Sequence, residues 1–425
     1  MTKPIYVTTQ PSPTIQAKMG TETSALDLPR ATHVLLSCLA WLAGFAIPIS
    51  TALQNISMVL CALCTLLIPS IRAQLLPALR TPLIRACLVL YLAFLIGTLW
   101  STASAHDMYA MLIKLKVYLL APFLFAFFFV HSWRNQLLLG FATAATLSVL
   151  LSIGCALSGI TLLHGIPGDY MVFRTHTYHN TFAGFLACGL AAYWITQRIP
   201  PKWHWLTAIT ITLCVIDIFF FVQGRTGQFL FLVLGALLVL LWQGKKGMMF
   251  ALVGTLVLAP TLYFGSHQLH KGIHNIQSDL ASYQQGEVET SIGLRLLFYR
   301  TAATIISQAP IFGHGTGSYG QSYAQTTGYT DGPKANQNPH NDYLWFWIEL
   351  GFFGLCLLPL LLAATCKQAQ QCMTAERWLG ILLASAYGLS TLANSSFTDN
   401  ITSLAYIFLC CALLAGQPSY RTAQS

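Results

Sequence analysis

Twelve predominantly apolar runs, separated by polar connections of which one is long, follow one another along most of the 425-residue chain. Charged residues make up only 8% of the sequence, against roughly 25% in soluble domains. A helix needs about 20 mostly apolar residues to cross the hydrocarbon core of a bilayer. The pattern therefore predicts an all-α polytopic membrane protein with about 12 transmembrane helices. The predicted spans are 33–49, 51–69, 83–101, 112–130, 136–159, 180–197, 205–222, 228–242, 248–264, 341–363, 378–394 and 400–416.

The distribution of basic residues predicts how the chain is oriented. When the N-terminus is placed in the cytoplasm, 14 of the 22 Lys and Arg residues fall on inner segments, as the positive-inside rule expects. Both termini are then cytoplasmic, and the one long polar segment faces outward. The chain divides accordingly into an N-terminal tail (1–32), nine spans (33–264), one large outer loop with amphipathic helices (265–340), three spans (341–416) and a C-terminal tail (417–425).

Neither the charge nor the cysteines indicate a nucleic-acid or metal-binding protein. The net charge is +9, but the basic residues are scattered at the ends of apolar runs and do not cluster on a polar domain. Nearly all of the twelve cysteines lie in apolar runs, without disulfide or zinc spacing. His176 and His179 have ligand spacing, but the nearest acid, Asp169, is seven residues back from His176 and no cysteine stands close. We therefore predict no metal site and no cofactor.

His340 is the first candidate for catalysis. Asn338 is a favourable N-cap and Pro339 a favourable first helical residue, so the sequence predicts His340 and Asn341 in the first turn of a helix. The unpaired N–H groups of that turn disfavour a positive charge, which keeps a histidine neutral and able to act as a base. The alternative is a boundary histidine that only anchors the helix at the membrane surface.

Two outward arginines are candidates for binding an anion. Arg225 lies in a turn with glycine on both sides, which would let a ligand approach the backbone. Arg295 stands near the start of an amphipathic helix predicted over 294–308. Guanidinium forks match phosphate oxygens, so we predict that both arginines bind a diphosphate leaving group while His340 takes a proton from an attacking hydroxyl. For Arg225 the alternative is a snorkelling anchor at the interface.

Five further residues are weaker candidates for the same site: Arg174, Lys116, Arg300, Asn341 and Asp399. The alternative for Lys116 is snorkelling to lipid headgroups, and the alternative for Asp399 is capping of the last helix.

Two acids lie inside predicted spans. Asp217 should have a partner, either a lysine or arginine from another span or a proton, and Glu349 is expected to be a buried structural group.

Residues 310–319 (PIFGHGTGSY) together with 339–351 (PHNDYLWFWIELG) resemble the signature of the O-antigen ligase and polymerase family of bacterial envelope proteins. Arg225, in the sequence Gly-Arg-Thr-Gly, and Arg295 match the two arginines that these enzymes place near the donor diphosphate. The number of spans and the single large loop before the histidine are also similar. The resemblance covers most of residues 180–400.

The resemblance implies an O-antigen ligase of the bacterial inner membrane, acting in lipopolysaccharide biosynthesis. Such a ligase is a metal-independent, inverting glycosyltransferase that moves a glycan from undecaprenyl diphosphate to a sugar hydroxyl of lipid A–core at the periplasmic face. The implied partners are the lipid-linked donor, the lipid A–core acceptor and membrane lipids, and loop 265–340 would be periplasmic. His340 would be the base or would position the hydroxyl. In this chain Thr226 follows Arg225, at a position where a small residue is more usual in the family.

Three alternatives remain. An O-antigen polymerase extends the lipid-linked glycan, and a protein O-oligosaccharyltransferase modifies serine or threonine and tends to have a longer C-terminal portion. The compact length and the placement of the loop favour the ligase. A transporter or flippase would be expected to hold charged residues near the bilayer midplane and to show internal repeats, whereas the charges here concentrate at one surface.

Overall fold

The computed structural model describes residues 28–330 and 338–416. Residues 1–27 of the predicted N-terminal tail and the whole predicted C-terminal tail (417–425) lie outside this part, as do residues 331–337 of the loop predicted over 265–340. Within the described part the chain forms helices and no strand, with one isolated bridge between Ile166 and Asp169. The all-α architecture is therefore confirmed.

Eighteen α-helices follow one another over the described residues. They are α1 (Arg30–Ile49), α2 (Thr51–Leu67), α3 (Pro69–Arg72), α4 (Leu75–Leu79), α5 (Pro82–Gly97), α6 (Ala105–Lys114), α7 (Lys116–Phe127), α8 (His131–Ser158), α9 (His176–Ile195), α10 (His204–Ile216), α11 (Arg225–Gln243), α12 (Lys245–Gly265), α13 (His267–Gln284), α14 (Ser291–Gln308), α15 (Tyr319–Thr327), α16 (Asp342–Ala369), α17 (Thr374–Ser390) and α18 (Asn400–Leu414).

Every one of the twelve predicted spans falls on a helix, but fewer satisfy the length and hydropathy of a membrane crossing. Eight described segments do so, or nine if α2 and the segment 69–79, bent by 94°, count as one. The chain is thus a polytopic membrane protein, and the count of twelve is not reached. Helices α17 and α18 have 17 and 15 residues, and α9 opens on the polar residues 176–181.

Two glycines bring α1 and α8 into close contact. A Cβ on Gly44 would lie 1.9 Å from the carbonyl oxygen of Leu137, and a Cβ on Gly140 would lie 2.0 Å from the carbonyl oxygen of Trp41. Small residues let helix backbones approach one another in membranes, where lipid offers no hydrophobic driving force between helices. Helix α9 packs against this pair of helices.

The segment 309–318, which precedes α15, docks on the second and third turns of α16. The amides of His314 and Gly315 donate to carbonyl oxygens of α16 at 2.9 and 2.8 Å. Gly351 breaks the helical geometry of α16 with a φ of 65°, and a Cβ on it would lie 2.1 Å from the carbonyl oxygen of Ile311. The outer loop is therefore held against the start of α16, the helix that follows His340.

The α1–α8 crossing predicts a specific effect on stability. Gly140→Ala should destabilise the protein by about 1–3 kcal/mol, because the added methyl group meets a backbone atom that cannot move aside. Gly154→Ala is the matched control on the same helix, since nothing lies within 4 Å of a Cβ at Gly154. Alanine also favours a helix over glycine, so the control should be neutral or slightly stabilising. Thermal unfolding of the purified protein in detergent measures both. Equal unfolding temperatures for the two variants would contradict this account of the crossing.

Candidate functional site

His340 lies just before α16 and not in its first turn. The helix begins at Asp342, and the side chain of Asn341 caps it by accepting two backbone N–H groups at 3.0 and 3.2 Å. Asn338, predicted as the cap, accepts instead from the backbone N–H of His340 at 2.8 Å. His340 has a φ of 51°, which is uncommon for a residue with a side chain. The predicted helix start at Pro339 is therefore wrong.

The start of α16 is bound to the segment between α17 and α18. The buried carboxylate of Asp342 accepts hydrogen bonds from the hydroxyls of Thr391 and Thr398, each at 2.6 Å, and from the backbone N–H of Phe397 at 2.7 Å. Sequence reasoning did not single out Asp342. Its position two residues after His340 makes it the group that fixes where the histidine stands.

Arg295 lies close enough to His340 to act on it electrostatically, and Arg225 lies close enough to Arg295 to do the same. Burial lowers the pKa of His340, and the positive charge of Arg295 lowers it further. Burial also lowers the pKa of Arg295, and the charge of Arg225 adds to this effect. Phe298, one turn after Arg295 on α14, packs against the imidazole with ring centroids 6.1 Å apart. The three residues predicted to carry the chemistry thus share one neighbourhood, with Arg295 in the middle.

Arg225 is the first residue of α11 and keeps part of its guanidinium free. Its Nη2 donates to the hydroxyl of Ser291 at 3.4 Å, whereas its Nη1 is buried and has no hydrogen-bond partner in the described part of the chain. A buried donor without a partner is unfavourable, so this nitrogen is suited to an incoming acceptor. The stem of the side chain packs under α13, where a Cβ on Gly272 would lie 3.1 Å from Arg225 Cγ.

The two glycines beside Arg225 make room for another helix and not for a ligand. A Cβ on Gly224 would lie 2.5 Å from Nδ2 of Asn180, and a Cβ on Gly227 would lie 2.3 Å from Cβ of Asn180. The expectation that a ligand approaches the backbone here is therefore corrected. The pair of glycines lets α9 pack against the first turn of α11, which fixes the direction in which Arg225 leaves the turn.

A buried carboxylate from the loop before α9 holds the same turn. Asp169 Oδ1 accepts from the backbone N–H of Gln223 at 2.9 Å, and its Oδ2 is 3.1 Å from Nδ1 of His176. The side-chain amides of Gln223 and Gln268 both donate to the carbonyl oxygen of Gly168, at 3.0 and 2.6 Å. The turn that carries Arg225, the loop around Asp169 and helix α13 are therefore bonded to one another.

His179, which is spaced three residues from His176, is the hydrogen-bond partner of Asp217. His179 Nε2 lies 2.5 Å from Oδ2 of Asp217, and its Nδ1 lies 3.2 Å from the hydroxyl of Ser148. The partner is thus a histidine of α9 and neither a lysine nor an arginine. His176 and His179 each pair with a different carboxylate.

A polar cavity of about 150 Å³ adjoins His340 on the side of α9, α17 and α18. Hydroxyl groups dominate its lining, among them those of Thr177, Tyr178 and Ser395. Asp399 also lines it and caps α18, because its Oδ1 accepts the backbone N–H groups of residues 401 and 402 at 2.9 and 3.1 Å. The capping interpretation of Asp399 therefore agrees with the structure, and the carboxylate also faces the histidine's cavity.

The other weaker candidates are Arg174, Arg300 and Lys116. Arg174 is buried, and its guanidinium donates to the Thr51 hydroxyl, the Ile47 carbonyl oxygen at 3.2 Å and Oε1 of Gln54 at 2.9 Å. It joins the loop before α9 to the corner between α1 and α2. Arg300 is exposed on α14, and Lys116 is half-buried as the first residue of α7.

A model of a known protein family matches the segment that carries this site. Residues 210–358 match the family model described as O-antigen ligase, and this segment includes Arg225, Arg295 and His340. A stretch of 114 residues is 30% identical to an uncharacterized protein of Haemophilus influenzae. That stretch covers 26% of this chain and 28% of the Haemophilus protein.

The arrangement predicts how His340 titrates. The pKa of its imidazole should lie below the usual value of about 6.5, and Arg295→Gln should raise it by removing a neighbouring cation. Because burial is the larger cause, the variant should recover only part of the shift. Arg300→Gln, on the exposed face of the same helix, is the matched control and should leave the pKa of His340 unchanged.

The measurement is the NMR titration of protein with isotope-labelled histidine, in which the His340 resonance is assigned from its loss in His340→Gln. An unchanged midpoint in Arg295→Gln, or an equal change in Arg300→Gln, would contradict the proximity of Arg295 to the imidazole.

Proposed function

We propose that the chain, whose residues 210–358 match the O-antigen ligase family model, is an O-antigen ligase that transfers a glycan from undecaprenyl diphosphate to a sugar hydroxyl of lipid A–core. The observation that carries the proposal is the neighbourhood of Arg225, Arg295 and His340. It combines two permanent cations with one imidazole whose pKa is lowered. These are the groups needed to hold a diphosphate leaving group and to take a proton from an attacking hydroxyl.

In this proposal the arginines bind the donor. The free Nη1 of Arg225 and the guanidinium of Arg295 donate to the diphosphate oxygens, and they stabilise the negative charge that grows as the bond from the anomeric carbon to the phosphate oxygen breaks. Two guanidinium groups supply the electrostatic stabilisation, so the transfer needs no metal ion. Each guanidinium presents a planar fork that fits two phosphate oxygens, which an ammonium group does not.

His340 acts on the acceptor. Its lowered pKa keeps the imidazole neutral near neutral pH, so that a ring nitrogen accepts the proton of the sugar hydroxyl as the oxygen bonds to the anomeric carbon. Attack from the face opposite to the diphosphate inverts the anomeric centre. The hydroxyl-lined cavity on the other side of His340 supports this assignment, because it offers hydrogen-bond partners to an uncharged sugar.

An apolar groove supports the lipid part of the donor. A cavity of about 280 Å³ lies between α11 and α12 and is lined by residues that include Phe231, Gly235, Val239 and Leu258. It lies along α11, the helix that Arg225 begins, so that a polyprenyl chain could run down the helix while its diphosphate stays at the arginine. In the proposed orientation the site and loop 265–340 face the periplasm, both termini are cytoplasmic, and the protein is in the inner membrane.

Substitution of the reacting groups tests the proposal. His340→Ala and Arg225→Lys should each reduce transfer by roughly 10²-fold or more, the first by loss of the base and the second by loss of the fork. Arg300→Lys is the control and should retain activity. The assay follows transfer of glycan by purified protein from the diphospholipid donor to lipid A–core, without nucleotide or ion gradient. Normal transfer by either variant would contradict the assignment.

The same assay distinguishes the polymerase, the protein transferase and the transporter. A polymerase would extend one donor molecule with another, a protein transferase would need a serine- or threonine-containing acceptor, and a transporter would form no new glycosidic bond.

The groove makes a separate prediction. Gly235→Leu should raise the KM for the undecaprenyl donor several-fold and leave kcat little changed, because the added side chain fills open space between α11 and α12. Gly154→Leu is the control, since it also enters open space but on α8. The effect should vanish with a donor whose prenyl chain is too short to reach the groove. The KM values for the long and the short donor are compared in Gly235→Leu and in the unchanged protein. If these values are equal, the groove does not bind the prenyl chain.

A further inference from the structure

A second and larger cavity, which the proposed reaction does not use, opens next to the start of α16. Its volume is about 450 Å³, within the range of about 300–1,000 Å³ that is usual for small-molecule sites. Helix α6, the end of segment 309–318, the start of α15 and the first turns of α16 surround it. Asp107, Lys114 and Gln321 form its exposed rim, and Tyr319, Trp345 and Glu349 form its buried floor.

The floor of this cavity is rigid and polar. Glu349 is 1% exposed, and its two carboxylate oxygens accept from the indole N–H of Trp345 at 2.7 Å and from the backbone N–H of Gly317 at 2.8 Å. The ammonium group of Lys114 lies 4.8 Å from the centre of the Trp345 ring. A buried carboxylate with two donors is fixed in place, so the floor keeps its shape whether or not the cavity is filled.

One floor residue has an unused polar group. Tyr319 is 1% exposed, and its hydroxyl is buried without a hydrogen-bond partner among the residues the structure describes. Buried hydroxyls are normally paired, and an unpaired one is unfavourable. Because Tyr319 also lines the cavity, its hydroxyl is a candidate hydrogen-bond partner for a ligand there.

The charges of the lining limit the class of ligand. One ammonium group, that of Lys114, faces the cavity together with two carboxylates, those of Asp107 and Glu349, so the cavity does not favour an anion. It is also too polar for a lipid chain. Aromatic rings, carboxylates and an amide together match a polyhydroxylated, uncharged molecule, whose hydroxyls donate to the carboxylates and accept from Tyr319 and Lys114.

A row of packed rings joins the cavity to His340. Ring centroids are 6.1 Å apart for His340 and Phe298, 5.9 Å for Phe298 and Tyr323, 5.8 Å for Tyr323 and Tyr319, and 5.7 Å for Tyr319 and Trp345. The cavity is therefore a few side chains from the reacting group, at the same end of α16. A glycan that reacts at His340 has further sugars, and these need a place to lie.

We propose that this cavity is a saccharide subsite, which binds an uncharged sugar of a substrate glycan away from the reacting sugar. The inference rests on the proposed function, since it takes the substrate to be a glycan. The sugar belongs either to the donor glycan or to the lipid A–core acceptor, and the chemistry of the lining is the same for both.

The test measures binding separately from transfer. The donor glycan and the core oligosaccharide, each released from its lipid by mild acid, are titrated into the purified full-length protein carrying His340→Ala, and binding is followed by saturation-transfer NMR and calorimetry. One of the two saccharides should bind. Tyr319→Phe and Gln321→Ala, added singly, should weaken that binding about tenfold, while Gln325→Ala, on the same helix outside the cavity, should not. Gln321 is exposed, so its variant remains informative if Tyr319→Phe fails to fold.

In protein with His340 intact, the same two variants should raise KM for the substrate that contains the bound sugar and leave kcat nearly unchanged. Binding by neither saccharide, equal binding in Tyr319→Phe, Gln321→Ala and Gln325→Ala, or displacement by inorganic phosphate would overturn the subsite. Saccharide binding without any transfer by the unchanged protein would count against the proposed function alone, and transfer without such binding would count against the subsite alone.

Discussion

The buried carboxylate of Asp342 is the contact on which the rest of the site depends. It is fully shielded from solvent and accepts three hydrogen bonds from the segment 391–398, which offset the cost of removing a charge from water. Asn341, the preceding residue, caps α16 and donates to the carbonyl oxygen of Leu392 at 3.1 Å. Asn338 accepts from the hydroxyl of Ser395 at 2.5 Å. His340 stands between these anchors, so its left-handed backbone conformation is imposed by contacts on both sides.

From this anchor the charges around His340 divide into two groups. Arg295 and Arg225 lie on one side of His340, and hydroxyl groups with the carboxylate of Asp399 line the cavity on the other. An anionic donor and an uncharged acceptor need opposite environments, and the imidazole lies where they meet. Burial lowers the pKa of the imidazole, and Arg295, one of the two cations that suit the diphosphate, lowers it further. One arrangement thereby serves both halves of the proposed transfer.

Much of this was predictable from the sequence, because apolar run length and the positions of cations are local properties. The helices fall where the runs lie, and Arg225, Arg295 and His340 do come together. The start of α16 was mispredicted because both Asn338 and Asn341 are suitable caps, and Asp342 decides between them through residues about 50 positions away. The glycines around Arg225 indicated a close approach, but a sequence pattern does not show whether a ligand or the side chain of another helix fills the space.

Other features needed the three-dimensional structure for a similar reason. The partner of Asp217 is His179, which sequence reasoning had set beside His176 as a pair because of their spacing. Fewer segments meet the length and hydropathy of a crossing than there are apolar runs, because α17 and α18 are short, α9 opens on polar residues, and the run from α2 to residue 79 bends by 94°. The cavity above Glu349 combines α6, α15 and α16, which lie more than 200 residues apart at their extremes.

The most direct test of the central claim is a structure of the protein in a lipid nanodisc with the undecaprenyl-diphosphate-linked glycan bound. The account predicts that the diphosphate lies between Arg225 and Arg295, with Nη1 of Arg225 donating to a phosphate oxygen and the anomeric carbon facing His340. A diphosphate held elsewhere on the outer face, for example by Lys114 and Lys116, with the guanidinium of Arg225 still free, would contradict it.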